Sequence, residues 1–323
     1  MSEVKKLRLV FMGTPDFAVG ILDALQASIH EIVAVVTVAD KAAGRGQKLK
    51  ESAVKIYAQA NNLRILQPEK LKDEHFLAQL KELQADLFVV VAFRMLPEEV
   101  WKMPAFGTIN LHASLLPNYR GAAPINWAII NGDKETGVTT FFIDEAIASG
   151  NIIAQETIKI SSNTNAGALH DELIILGAEL TLKTVVAISQ ETHTVIDQDK
   201  FEKKDFKTAP KIFKEDCEIS WQETVENVHN KIRGLSPFPA AWTKLKNTKK
   251  NEILLVKLFA SKTIENDGIS LTGNLQEHSD GILFQCSNGF ICITELQVEG
   301  KRRMTHKEFL AGNQIKDWEL FVS

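Results

Sequence analysis

"LRLVFMGTPDFAVGILDAL", Leu7 to Leu25, decides how the first half of the chain is read. Leu9 to Met12 make an unbroken apolar run, Gly13 permits a tight turn, and Pro15 and Asp16 stand where the first turn of a helix accepts a proline and an acid. A continuous apolar strand has both faces covered, so this opening predicts a buried parallel strand leading into a crossover helix. The pattern then repeats. "EIVAVVTV" from Glu31 and "ADLFVVVAF" from Ala85 are further apolar strands, with helical stretches from Glu51 and Asp73 between them and the short strand "LRIL" from Leu63. "GTINLH" from Gly107, "GVTTFFIDE" from Gly137 and "GNIIAQETIKI" from Gly150 continue the strand series, and a long helical period from Asn163 to Ser189 closes it. Alternating strand and helix predict an α/β fold: a Rossmann-like parallel sheet covered on both faces.

Gly13 stands alone after the first strand, so neither G-x-G-x-x-G nor a P-loop pattern is met, and a dinucleotide site is not expected. From Gln190 to Pro210 the chain is polar and charged, which reads as a linker. Beyond it come one helix ended near Gly234 and several short strands spaced as in a small β-barrel. The expected domains are therefore 1–189, a linker at 190–210, and an OB-like barrel at 211–323.

The 323 residues are 45% hydrophobic and 24% charged, and no apolar run is long enough for a membrane span. The start, "MSEVKKLRLVFMG", leads straight into a strand without a cleavage-site pattern, so a cytoplasmic protein without a membrane partner is expected. Cys217, Cys286 and Cys292 are odd in number and contain no C-x-x-C pair, and the eight histidines lack short-range pairing. Buried thiols and no metal are expected. The net charge of -4 conceals a division, because from Lys200 onward 19 positive residues face 17 negative ones. Clusters lie at Lys244, Lys246, Lys249 and Lys250 and again at Lys301, Arg302 and Arg303. Such clusters are solvated turns in most proteins and polyanion contacts in some.

"NLHASLLPNYRGAAPI", from Asn110, puts an amide and an imidazole two residues apart at the end of a strand. Side chains two apart in a strand share a face, and ligands in open α/β sheets bind beyond the carboxyl ends of strands. Both groups can donate to a carbonyl oxygen that becomes an oxyanion, and the imidazole can move a proton near neutral pH. Acyl transfer follows naturally, although the same two residues at a strand end often bond nearby backbone instead.

This stretch resembles the signature of the folate-dependent formyltransferases, above all the branch that acts on initiator methionyl-tRNA. The resemblance runs along essentially the whole chain, through "FMGTPDFA" (Phe11), "ADKAAGRGQKLK" (Ala39), "LQPEKLK" (Leu66), "NGDKETGVTTF" (Asn131) and "GLSPFPAAW" (Gly234). It implies formyl transfer from 10-formyltetrahydrofolate to the α-amino group of methionyl-initiator tRNA, by a monomer without a metal. Asn110 and His112 would polarise the formyl group; Ser114, Leu115, Leu116 and Pro117 would line the folate site, with Phe93, Arg94 and Met95 near the pterin. A basic loop holding Lys41, Arg45, Lys48 and Lys50 would wedge into the acceptor end of the tRNA, and the clusters at Lys244–Lys250 and Lys301–Arg303 would hold its body. One departure weakens the expectation: in "IDEAIASGNII", Ala148 stands where the family has a proton-relaying Asp. Asp144 lies four residues earlier, and taking over the role would require a rearranged loop. General acid–base help is worth about 10²–10⁴ in rate, so reduced transfer is expected. The alternatives are an amino-sugar formyltransferase and a non-catalytic folate- or RNA-binding relative.

Overall fold

In a computed structural model describing residues 4–43, 48–145, 148–201, 206–264 and 275–321, the opening run becomes strand β1 (Arg8–Gly13), with Leu9 to Met12 wholly excluded from solvent. Helix α1 (Asp16–Gln26) follows; Asp16 in its first turn suits the positive end of the helix dipole, and Phe17, Ala18, Ile21, Leu22 and Leu25 bury one face. The succession continues with β2 (Glu31–Val36), the short hairpin of β3 (Lys41–Ala43) and β4 (Lys48–Lys50), α2 (Ala53–Ala60), β5 (Ile65–Leu66), α3 (Glu74–Glu82) and β6 (Leu87–Val91). The amino ends of α2 and α3 are capped by Ser52 and Asp73, whose side chains accept from Lys55 N and Phe76 N. Then come α4 (Glu98–Trp101), β7 (Thr108–His112), β8 (Arg120–Gly121), α5 (Pro124–Ile130), β9 (Glu135–Phe142), β10 (Ile152–Lys159) and α6 (Ala166–Ser189).

Two compact units emerge: one comprises 1–121, 136–158 and 170–208, the other 122–135, 159–169 and 209–323. The first is built on a seven-stranded sheet in the order β10-β9-β7-β6-β1-β2-β5. Its strands β5, β2, β1, β6 and β7 are parallel, whereas β9 runs antiparallel to β7. This is the parallel, helix-covered sheet that the alternation predicts. From β1 the chain winds outward to β2 and β5, then returns to the other side of β1 as β6 and β7. That reversal falls at the carboxyl ends of β1 and β6, the position where open α/β sheets bind ligands. Gly13 ends β1 there, and a Cβ on it would lie 2.7 Å from the Ala18 Cβ and 3.0 Å from the Val91 carbonyl oxygen.

In the second unit, after β11 (Thr208–Ala209), helix α7 (Val225–Leu235) is capped by Thr224 and followed by β12 (Ala241–Asn247), β13 (Glu252–Thr263), β14 (Leu275–His278), β15 (Gly281–Cys286) and β16 (Gly289–Val298). Strand β17 (Met304–Thr305), helix α8 (His306–Gly312) and β18 (Trp318–Leu320) complete it. The strands form an antiparallel sheet in the order β14-β15-β16-β13-β12-β18, whose end strands come back into contact to make a nearly closed barrel. Trp221 stacks on Phe284 in its core at 4.7 Å between centroids and donates its indole N–H to Thr243 Oγ1. All three cysteines are free and buried, and burial pushes the Cys286 and Cys292 thiols up to about 11. Among the described residues no helix is long and apolar enough to cross a membrane.

Candidate active site

The carboxyl ends of β1, β6 and β7 lie side by side, with Gly13 level with Val91 and Val91 with Leu111. Asn110 and His112 therefore project from one face at this edge, each half-buried. His112 Nε2 lies 2.8 Å from the Tyr119 carbonyl oxygen. Desolvation is the main influence on the ring and lowers its pKa below 6.5; the Tyr119 carbonyl opposes this, and Arg120 adds to it. Near neutral pH the imidazole is thus uncharged, and a neutral ring facing a carbonyl must carry its proton on Nε2. The lone pair is left on Nδ1.

Residues 113–119, between β7 and β8, form a loop held from behind by one threonine. Thr139 is fully buried in β9, level with His112 across the β7–β9 ladder. Its hydroxyl donates to the Ser114 carbonyl at 2.6 Å, accepts from Leu116 N at 3.1 Å, and accepts from Gln155 Nε2 at 2.8 Å. Gln155 also donates to the Leu116 carbonyl, and Ser114 Oγ to the Asn118 carbonyl. Ser114, Leu116 and Pro117 are buried and Leu115 half-buried, so the loop's polar groups are engaged by its own backbone and by Thr139 and Gln155. Phe93 packs on the core under β6, and Met95 is 68% exposed. The Arg94 guanidinium donates to the Pro68 and Glu69 carbonyls.

Ala148 lies beside this loop, packed against Leu116, Phe141 and Ile152. Its φ of 52° is left-handed, a conformation in which Asp and Asn are several-fold enriched over other side-chain-bearing residues. Two residues on, a Cβ on Gly150 would lie 1.7 Å from the Phe142 carbonyl oxygen, so the turn's backbone passes too close for any other residue. Asp144 accepts from Ser149 Oγ at 2.6 Å, which ties its carboxylate to the same turn. Sequence reasoning missed Gln198, which lies in the polar stretch read as a linker and is only 3% exposed. Its Nε2 donates to the Ala148 and Gly150 carbonyls, and its Oε1 accepts from Arg120 Nη2. Thr139 and Gln155 were also missed, because a polar residue inside an apolar strand signals nothing until its partners are known.

The basic residues fall into two sets. Arg45 lies outside the described residues, as do the side chains of Lys41 and Lys48; Lys50, at the end of the β3–β4 hairpin, is exposed. On the barrel, Lys246 pairs with Glu319 at 3.2 Å and Lys249 with Asp317 at 2.8 Å. Arg302 pairs with Glu308 at 2.6 Å, and Arg303 pairs with Glu295 while lying over the Phe259 ring. Lys244 lies 6.0 Å from the Trp242 ring centroid, and Lys250 and Lys301 are exposed. Among the described residues no group of His, Cys, Asp or Glu is arranged to hold a metal ion.

A parallel sheet followed by a nearly closed barrel defines a class of fold, and the comparisons supply its family. The chain belongs to the formyltransferase family: residues 6–185 match the formyl transferase family model and residues 211–314 that of the formyl transferase C-terminal domain. It is 52% identical to the methionyl-tRNA formyltransferase of Flavobacterium johnsoniae over 97% of this chain and 98% of that protein. With the methionyl-tRNA formyltransferase of Bacteroides thetaiotaomicron it shares 48% identity over 96% of this chain and 97% of that protein. Among solved structures, WlaRD, a sugar 3N-formyltransferase determined with dTDP and 5-N-formyl-THF, superposes with a TM-score of 0.62 at 21% identity, covering 92% of this chain and 100% of that one. HypX from Aquifex aeolicus in complex with tetrahydrofolic acid gives 0.64 at 17% identity, covering 95% of this chain and 47% of that one. At those identities the two structures establish a shared fold alone.

Proposed function

We propose that this chain transfers the formyl group of 10-formyltetrahydrofolate to the α-amino group of methionyl-initiator tRNA in the cytoplasm. The observation that carries the reading is the 52% identity to a methionyl-tRNA formyltransferase across 97% of the chain, barrel included. The amino-sugar alternative draws on structures near 20% identity, such as WlaRD, which share the fold alone. In this reading residues 1–189 do the chemistry, 190–210 connect, and 211–323 contact the tRNA together with the basic loop around Arg45.

The amino nitrogen attacks the formyl carbon, the C–N bond to the folate nitrogen breaks, and the proton lost by the amine ends on that folate nitrogen. The Asn110 amide donates to the formyl oxygen as it gains charge. His112, uncharged and with Nε2–H engaged by Tyr119, offers Nδ1 as the acceptor for the amine proton. Returning that proton to the folate nitrogen is the task of the residue at position 148, and a methyl group cannot perform it. Substrate positioning survives, and the transfer step is slow. The test is single-turnover formylation of methionyl-tRNA by this chain and by Ala148→Asp. The aspartate is expected to raise the rate by about 10²–10⁴. Equal rates would remove position 148 from the proton path, and no formylation by either chain would favour a binding relative.

A further inference from the structure

We propose that Gln198 is a positioning residue of the transfer site, fastening the turn that carries position 148 to the loop that follows His112. The inference rests on the reading of His112 and position 148 as parts of one reaction. A side-chain amide has two N–H donors on its nitrogen and a separate acceptor oxygen. Here they have different duties: Nε2 donates to the carbonyls of Ala148 at 3.0 Å and Gly150 at 2.8 Å, and Oε1 accepts from Arg120 Nη2 at 2.5 Å. At 3% exposure, water cannot easily substitute for any of these bonds.

The two carbonyls flank Ser149, so the amide grips the turn on both sides of its apex. Such a grip suits a turn whose residue 148 has a φ of 52° and whose Gly150 has no room for a side chain. On the acceptor side, Arg120 directly follows Tyr119, whose carbonyl faces His112 Nε2. A continuous path therefore runs from the backbone at 148, through one amide, to the residue that sets the imidazole's tautomer. Glutamate would keep the acceptor for Arg120 but oppose two carbonyl oxygens with a carboxylate. Methionine would abandon all three groups.

The experiment compares Gln198→Met and Gln198→Glu in the full chain, each with and without Ala148→Asp. Single-turnover formylation, binding of tetrahydrofolate and methionyl-tRNA, and amide hydrogen exchange over residues 118–122 and 148–152 are measured. Gln198→Met should reduce the rate gain from Ala148→Asp by tenfold or more, leave both binding constants within twofold, and speed exchange in both segments. Gln198→Glu should loosen 148–152 and spare 118–122, and it decides the matter if the methionine variant does not fold. An equal gain in both backgrounds overturns the proposal, as does unchanged exchange in both segments. Should Ala148→Asp give no gain even with Gln198 present, the transfer reading of position 148 falls; faster exchange in the Gln198 variants would still support the fastening role.

Discussion

Replacing Thr139 by Val keeps the shape of the side chain and deletes the hydroxyl behind the 113–119 loop. The structure states what is lost: the Ser114 carbonyl loses its 2.6 Å donor, Leu116 N loses its 3.1 Å acceptor, and Gln155 keeps its bond to the Leu116 carbonyl. Two backbone groups are left unsatisfied in a site where Thr139 itself has no solvent exposure. At about 1–3 kcal/mol for each orphaned buried group, Thr139→Val should destabilise the first unit by about 2–6 kcal/mol. A mid-range loss of about 4 kcal/mol corresponds to roughly 8–16 °C in melting temperature for a domain of this size. Thr139→Ser keeps the hydroxyl, drops only a methyl, and should cost about 1 kcal/mol. Because the chain has two units, the assay is a urea titration followed by hydrogen exchange in β1 and β7, which reports the first unit separately. Equal destabilisation by Val and Ser, or a loss below about 1 kcal/mol for Val, would refute the account of the loop.

Burial lowers the pKa of His30, His112 and His229. The unfolded chain therefore takes up protons first, so the stability these residues contribute is complete above pH 6.5 and lost as pH falls below it. Urea midpoints should drop between pH 7 and 5.5, and a flat profile would contradict the burial argument. Gly13→Ala puts a Cβ 2.7 Å from Ala18 and 3.0 Å from the Val91 carbonyl oxygen, so a loss of about 1–3 kcal/mol is expected in the same titration. Arg45→Ala should weaken methionyl-tRNA binding and reduce the slope of log affinity against log salt by about 1. A slope unchanged in a filter-binding salt series would remove Arg45 from the phosphate contacts.

The architecture of the first unit was readable because its strands are continuous apolar runs: Leu9 to Met12 and Leu87 to Val91 are buried on both faces, as their composition demands. The site was readable in part. Asn110 and His112 share a face by strand periodicity alone, whereas the bond from His112 to Tyr119 depends on how a seven-residue loop turns back. Gln198 was illegible for a deeper reason: its surroundings, "VIDQDKFEKKD", are polar, and composition cannot say that one amide among them faces inward. Thr139 reads as an ordinary strand former until its register opposite His112 is known. Two of the barrel's ion pairs, Lys246 with Glu319 and Lys249 with Asp317, were hidden by their distance along the chain.

Those pairs bear on how the barrel surface would receive a polyanion. Lys246, Lys249, Arg302 and Arg303 already have carboxylate neighbours. A polyanion that reached such a cation would exchange one anionic partner for another, so the contact would yield less than one with a cation lacking a carboxylate neighbour. Were a polyanion to settle on the barrel, its hold would grow with the number of these positions it met at once, so matching contour would count for more than bare charge.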